Sequence, residues 1–194
     1  MSPELLFSQI VPLAFAAGLN VYATIAVIGL SGRFDLVSLP ASLQVFENPW
    51  VIGVAVAMIA IEFVADKIPW FDSLWDAVHT VIRPIGGAFI GVTAIGAHAS
   101  PAMMTIAALV GGSTALTTHL TKAGARAAAN TSPEPFSNWF LSLGEDLFAM
   151  SLSYVALTHP WIALGVVTVL LVAIFASASL IVRAIRRRFA SRPG

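Results

Sequence analysis

Six apolar stretches, each close to the length that carries a helix through a bilayer, dominate this chain of 194 residues. A helix rises about 1.5 Å per residue, so a hydrocarbon core of about 30 Å takes roughly twenty residues to cross. The stretches run from about Leu5 to Leu30, Pro49 to Asp66, Asp72 to Ala97, Pro101 to Lys122, Pro135 to Thr158 and Pro160 to Val182. Most have a proline at or near the start, which suits a first helical turn where no backbone bond is lost. Only 10% of residues are charged and 58% are hydrophobic, whereas soluble domains carry roughly a quarter charged residues. Mean hydropathy is +0.87. A water-soluble shell cannot be assembled from this composition. The expectation is an all-α membrane protein, one transmembrane domain over residues 1–194 with about six transmembrane helices and membrane lipids as its surroundings.

Charge distribution narrows the reading further. Formal net charge is +0, so no global field recruits nucleic acid. The basic residues gather instead in the tail from 183 to 194, at Arg183, Arg186, Arg187, Arg188 and Arg192. Basic loops stay cytoplasmic. Six crossings then put both termini, with Lys67, Arg83, Lys122 and Arg126, on the cytoplasmic side of a bacterial inner membrane and leave Arg33 as the exception. There is no cysteine, which removes disulfides, thiolate metal sites and cysteine nucleophiles. No phosphate-binding glycine loop, hydrolase elbow or zinc helix motif is present, and no cofactor is expected.

A weak internal repeat runs at about half the chain length. Gly32 and Arg33 resemble Gly124 and Arg126; Asn48, Pro49 and Trp50 resemble Asn138 and Trp139; Pro69 and Trp70 resemble Pro160 and Trp161. Three spans per half, over 1–99 and 100–184, would set the halves in opposite orientations, the 3+3 inverted-repeat plan of many transporters. Glycine, proline and tryptophan are also common at membrane boundaries, and the carboxylates of the two halves do not align.

The ionisable groups at membrane depth carry the functional argument. Only thirteen residues, Pro49 to Ile61, precede Glu62 in its stretch, too few to cross, so Glu62 and Asp66 fall within the bilayer's thickness on one helical face. The plain alternative has them snorkel to the interface and pair with Lys67. Asp72, Asp76, His79 and Arg83 form one polar stripe. Asp72, Asp76 and His79 have spacing that would suit a metal face, while an ion pair with Arg83, or a capping box at Ser73 and Asp76, explains it more simply. Glu145 and Asp146 lie near the middle of a mostly apolar stretch. A charge at the bilayer centre costs from roughly 3 to over 10 kcal/mol, so protonation, a basic partner such as Lys122, Arg126 or Arg83, a bound cation or a watery cavity must receive them.

Other polar positions have two readings each. His119, Lys122 and Arg126 follow Thr114, Thr117, Thr118 and Thr121, whose hydroxyls either line a wet path or bond their own backbone. Gly18 and Asn20, with Pro12 upstream, mark an interrupted first helix, which is tolerated only where freed backbone groups meet protein or water. Asn130, Glu134 and Asn138 make the loop from Ala129 to Asn138 either a gate or an ordinary cap. Trp50, Trp70, Trp75, Trp139 and Trp161 read as interfacial anchors.

The motifs FVADKIPWFDSLWDAVHTVIRP at 63–84 and KAGARAAANTSPEPFSNW from Lys122, with the Glu145-Asp146 pair beyond it, resemble the bacterial membrane family known as domain of unknown function 4126. The resemblance extends over nearly the whole chain, including Gly18 to Thr24. It implies a membrane protein and no settled activity.

From the residues, the expected function is a transporter or channel, of one or several copies, for a small solute or cation. Its polar cavity would be lined by intramembrane carboxylates, and proton coupling would run through Glu145. Glu62, Asp66, Asp72, Asp76, Glu145 and Asp146 outnumber Lys67, Arg83, Lys122 and Arg126, which favours a cation over a bare anion. The alternatives are a membrane enzyme acting on a lipid head group, with His79 or His119 as acid or base and Arg83 or Arg126 on a phosphate, and a structural protein without transport.

Overall fold

The computed structural model describes residues 3–65, 68–129 and 135–190; within these, the side chains at 3–6, 69–70, 72–73, 129, 135–139, 185 and 188–190 are not described. Among the described residues are seven α-helices and no strand: α1 (Pro3–Leu19), α2 (Val21–Arg33), α3 (Pro49–Ala65), α4 (Pro69–Ile95), α5 (Pro101–Ala129), α6 (Pro135–Thr158) and α7 (Pro160–Ala190). A 3₁₀ turn, Leu43–Glu47, lies between α2 and α3. Six of the seven helices begin at a proline, whose fixed φ and missing N–H fit the first turn. The exception is α2. It is started instead by Asn20, an extended residue at φ −151° and ψ 103° whose side chain accepts from the N–H of Ala23. At the other end of α4, Gly96 takes φ 84° and ψ 164°, a positive-φ conformation that glycine adopts without a Cβ clash.

Four helices are long and apolar enough to cross a membrane, over Leu74–Ile95, Pro101–Ala128, Phe140–Thr158 and Pro160–Ala184. With the shorter apolar helices beside them, they make this an all-α membrane protein.

The chain reverses at Asn20. Ile10 of α1 lies against Gly91 of α4, and Gly18 against Ala115 of α5, so α1 runs antiparallel to α4 and alongside α5. Beyond the break, Val21 touches Gly86 and Gly29 abuts Phe46, whose ring meets Phe89 edge-on at 5.8 Å. Ser42 meets Gly96. Both arms of the α1–α2 pair therefore start and finish at the end of the bundle where α4 terminates, and their shared tip sits half-way down. The first apolar stretch, expected to cross as one interrupted span, doubles back. Hydropathy is the same for an apolar segment that crosses and one that turns round inside the protein, so composition alone reads through the turn.

From α3 onward the helices alternate in direction. Pro3 and Ala190 accordingly lie at opposite ends of the bundle.

Packing is tightest where side chains are smallest. A Cβ added at Gly87 would strike the carbonyl of Gly111, and one at Gly111 would strike that of Gly87, so α4 and α5 meet backbone to backbone. The apolar core joins Ile10, Leu13, Ile28, Phe46, Ile90 and Leu152. By contrast only 6% of the α7 span is buried; its Val169, Val172, Phe175, Leu180 and Ile181 are exposed, a surface suited to lipid tails.

Candidate functional site

Breaking a helix leaves carbonyls without partners at the end of the first piece, where the backbone dipoles also concentrate partial negative charge. Two buried cations meet that end. Arg83 Nη1 donates to Gly18 O at 3.2 Å and Lys122 Nζ donates to Leu19 O at 2.9 Å. Asn20 then fixes the start of the second piece: its Oδ1 accepts from Ala23 N at 2.9 Å and its Nδ2 donates to Asp146 Oδ1 at 2.9 Å. Asn20 is fully buried and Asp146 nearly so. Ser153 of α6 adds a bond from Oγ to Thr24 Oγ1 at 3.3 Å. Gly18 O, Leu19 O and Ala23 N, freed by the turn, are thus met by protein side chains, the condition under which non-helical backbone persists at membrane depth.

The cations are in turn held by acids. Arg83 Nη2 donates to Glu62 Oε1 at 2.5 Å, and neither side chain has any exposed surface. Lys122 Nζ sits 3.6 Å from Glu62 Oε1 and 3.5 Å from Glu145 Oε2. Arg126 grips the same Glu145 oxygen through Nε at 3.2 Å and Nη2 at 3.0 Å. The result is a row of alternating sign, Arg83, Glu62, Lys122, Glu145, Arg126, contributed by α3, α4, α5 and α6 around the tip of the α1–α2 pair. Glu62 Oε2 and Arg83 Nε are buried without a hydrogen-bond partner, and such orphaned atoms are costly.

Two histidines complete the shell. Arg83 Nη1 also reaches His119 Nδ1 at 2.8 Å. A guanidinium only donates, so that nitrogen accepts and the ring proton lies on Nε2, 3.0 Å from Thr80 Oγ1 and 3.1 Å from Asp76 O. His79 donates from Nδ1 to Trp75 O at 2.8 Å and accepts at Nε2 from the Tyr22 hydroxyl at 3.2 Å. Tyr22 meets it edge-on, with centroids 5.6 Å apart.

Of the residues singled out from sequence, Asn20, Glu62, His79, Arg83, His119, Lys122, Arg126, Glu145 and Asp146 come together around one point. Glu62 does not snorkel; it is buried between Arg83 and Lys122. The excess of acids over bases does not carry into this cluster, where Glu62, Glu145 and Asp146 stand against Arg83, Lys122 and Arg126. The other acids of that reckoning are either outside the described residues or, like Asp76, only half-buried on α4. Asp76 contributes its backbone carbonyl to His119.

Of the candidate metal face, the Asp72 side chain lies outside the described residues, and both His79 nitrogens are engaged, with Trp75 O and the Tyr22 hydroxyl. No group of three His, Asp or Glu residues suited to a metal occurs among the described residues. The Asp72 and Ser73 cap is overturned as well, since α4 begins upstream at Pro69. The threonines choose their second reading: Thr117, Thr118 and Thr121 bond the carbonyls four residues back, at 2.9, 3.0 and 2.8 Å. Trp50 and Trp161 are exposed as anchors should be, but Trp75 packs on His79 with centroids 4.8 Å apart. Asp66, Lys67, Asn130 and Glu134 lie outside the described residues, as do the side chains of Asp72, Asn138, Trp70 and Trp139.

Sequence reasoning missed Tyr22 and Thr80, and the carbonyls of Gly18 and Leu19. For Thr80 a signal existed: it stands four residues after Asp76 and three before Arg83, on the polar stripe. Nothing marks a backbone carbonyl in a sequence.

Fold and site together define a helical membrane protein built round a re-entrant helix pair whose tip rests on buried ion pairs. The chain belongs to the family described as Domain of unknown function (DUF4126), whose model matches residues 8–179. No curated protein and no solved structure matches it.

Proposed function

We propose that this protein moves a small solute or ion across the membrane by rearranging the ion pairs at the tip of the re-entrant pair. The observation that carries this reading is Lys122, held nearly midway between Glu62 and Glu145 at 3.6 and 3.5 Å while its third partner is a carbonyl freed by the helix break. A cation shared so evenly has two alternative homes separated by little energy, which is what a switching site requires. Discontinuous helices with charged groups at their broken ends are the construction that transporters use at mid-membrane. The run α2–α4 is directed opposite to α5–α7, which supports an inverted pairing of the two halves with α1 as an addition.

Orientation follows from charge. Arg126, Arg183, Arg186 and Arg187 lie toward the end of the bundle where α7 finishes and Arg33 lies at the other, so the α7 end faces the cytoplasm of a bacterial inner membrane and the re-entrant pair enters from outside. The enzyme alternative draws nothing from the histidines, whose ring nitrogens are all occupied by Arg83, Thr80 and Asp76 or by Trp75 and Tyr22.

The test is flux in proteoliposomes, read as proton and monovalent-cation movement under an imposed pH gradient and an imposed diffusion potential. Glu62→Gln and Asn20→Ala should each lower the wild-type rate at least about tenfold, the effect of losing one charge-assisted contact at the rearranging site. Wild-type rates in both variants would remove the proposal.

A further inference from the structure

Glu145 has another face. While Oε2 is engaged with Arg126 and Lys122, the carboxylate also lines a cavity of about 420 Å³ bounded by α1, α5, α6 and α7, within the size range of small-molecule sites. The walls are apolar and aromatic, including Phe15, Leu19, Phe140 and Phe148, and Glu145 is the one charged residue among those that line it. Depth decides which charge an entering solute meets. The Glu145 side chain retains 13% exposure, against 3% for Arg126 and 0% for Lys122 behind it, so the acid is presented and the bases are screened.

From the acid facing an aromatic, apolar cavity, we infer that this is a binding site for a hydrophobic organic monocation. A carboxylate set in an open apolar groove pairs with one positive charge, the phenylalanines that line it can add cation–π attraction, and the apolar walls favour a solute that reaches the site from the lipid. The even placement of Lys122 gives binding a consequence: a ligand cation that takes its place at Glu145 leaves Lys122 with Glu62 and Leu19 O, which links occupancy of the cavity to the buried row. This names the solute class for the transport reading and rests on it for that consequence alone, because binding is measurable without flux.

The probe is tetraphenylphosphonium, titrated against the full chain in phosphatidylcholine nanodiscs, with tetraphenylborate as an anion of the same shape. Saturable binding of the cation is expected, with affinity at least about tenfold weaker in Glu145→Gln, the scale of one lost charge-assisted contact. That variant strands Arg126 and Lys122 and can fail to fold for that reason alone. Gly144→Leu therefore stands beside it: a Cβ at Gly144 meets no atom within 4 Å, so the new side chain occupies the cavity and leaves every ion pair in place. It too should weaken binding about tenfold. Absence of saturable binding, equal affinity in wild type and Gly144→Leu, or tighter binding of tetraphenylborate would overturn the site. Binding of the cation with no flux in proteoliposomes would defeat the transport reading and leave the site standing; flux that ignores Gly144→Leu, without saturable binding, would do the reverse.

Discussion

Helix α5 offers two faces to its neighbours, and they could hardly be packed more differently. Toward α4, Gly111 and Gly87 bring the two backbones into contact, with no room for a methyl group. Toward α7, Gly124 has no atom within 4 Å of where its Cβ would be and lines an open cavity of about 550 Å³. The tight face also carries Lys122 into the charged row and His119 against Arg83, while the open one is turned to the barely buried α7. The contrast separates a closely packed frame, in which α1, α4 and α5 hold the tip of the re-entrant pair, from a loosely packed flank beside α7. Rigidity lies where polar groups must be kept paired at membrane depth, because an unpaired one there costs several kcal/mol.

Breaking the charged part of the frame should have the largest effect. Arg83→Leu leaves Glu62 as a buried anion with only Lys122 nearby and strips Gly18 O of its donor, and should lower unfolding stability by about 3–5 kcal/mol, the usual cost of removing one partner of a buried pair. Thermal unfolding in detergent would measure it, and a loss within about 0.5 kcal/mol would mean that the row is not what fixes the tip.

A single substitution placed on each face of α5 sharpens the comparison. Gly111→Ala forces a methyl onto the Gly87 carbonyl and should destabilise by about 1–3 kcal/mol. Gly124→Ala meets nothing and should stabilise by up to about 1 kcal/mol, since alanine is the better helix former. Opposite signs for the same chemical change, read in the same unfolding assay, are the expected outcome; equal signs would erase the distinction between the faces.

The legible and illegible parts of this protein divide along physical lines. The helix-starting prolines and the apolar lengths between them are local properties, and they located the starts of α3, α5, α6 and α7, placed those of α1 and α4 two to three residues late, at Leu5 and Asp72, and missed that of α2. Burial of Glu62 was half legible, since its segment is too short to cross before that residue, yet snorkelling to pair with Lys67 fitted the sequence as well. What could not be read was direction: Gly18, Leu19 and Asn20 interrupt a helix equally well whether the chain continues or returns. Partner choice was equally hidden. Glu62 meets Arg83 across 21 positions and Arg126 meets Glu145 across 19, and only the packing of α3 to α6 selects those pairs from the others that charge alone allows.

The balance of the row has an electrical consequence. Taken with Asp146 beside it, the row sets three cations against three anions; shifted together along the membrane normal they carry no net charge through the field, so the rearrangement of the empty site would draw no work from the membrane voltage, in contrast to the roughly 2.3 kcal/mol that each unmatched charge exchanges per 100 mV. Only the solute's own charge would couple the cycle to the potential.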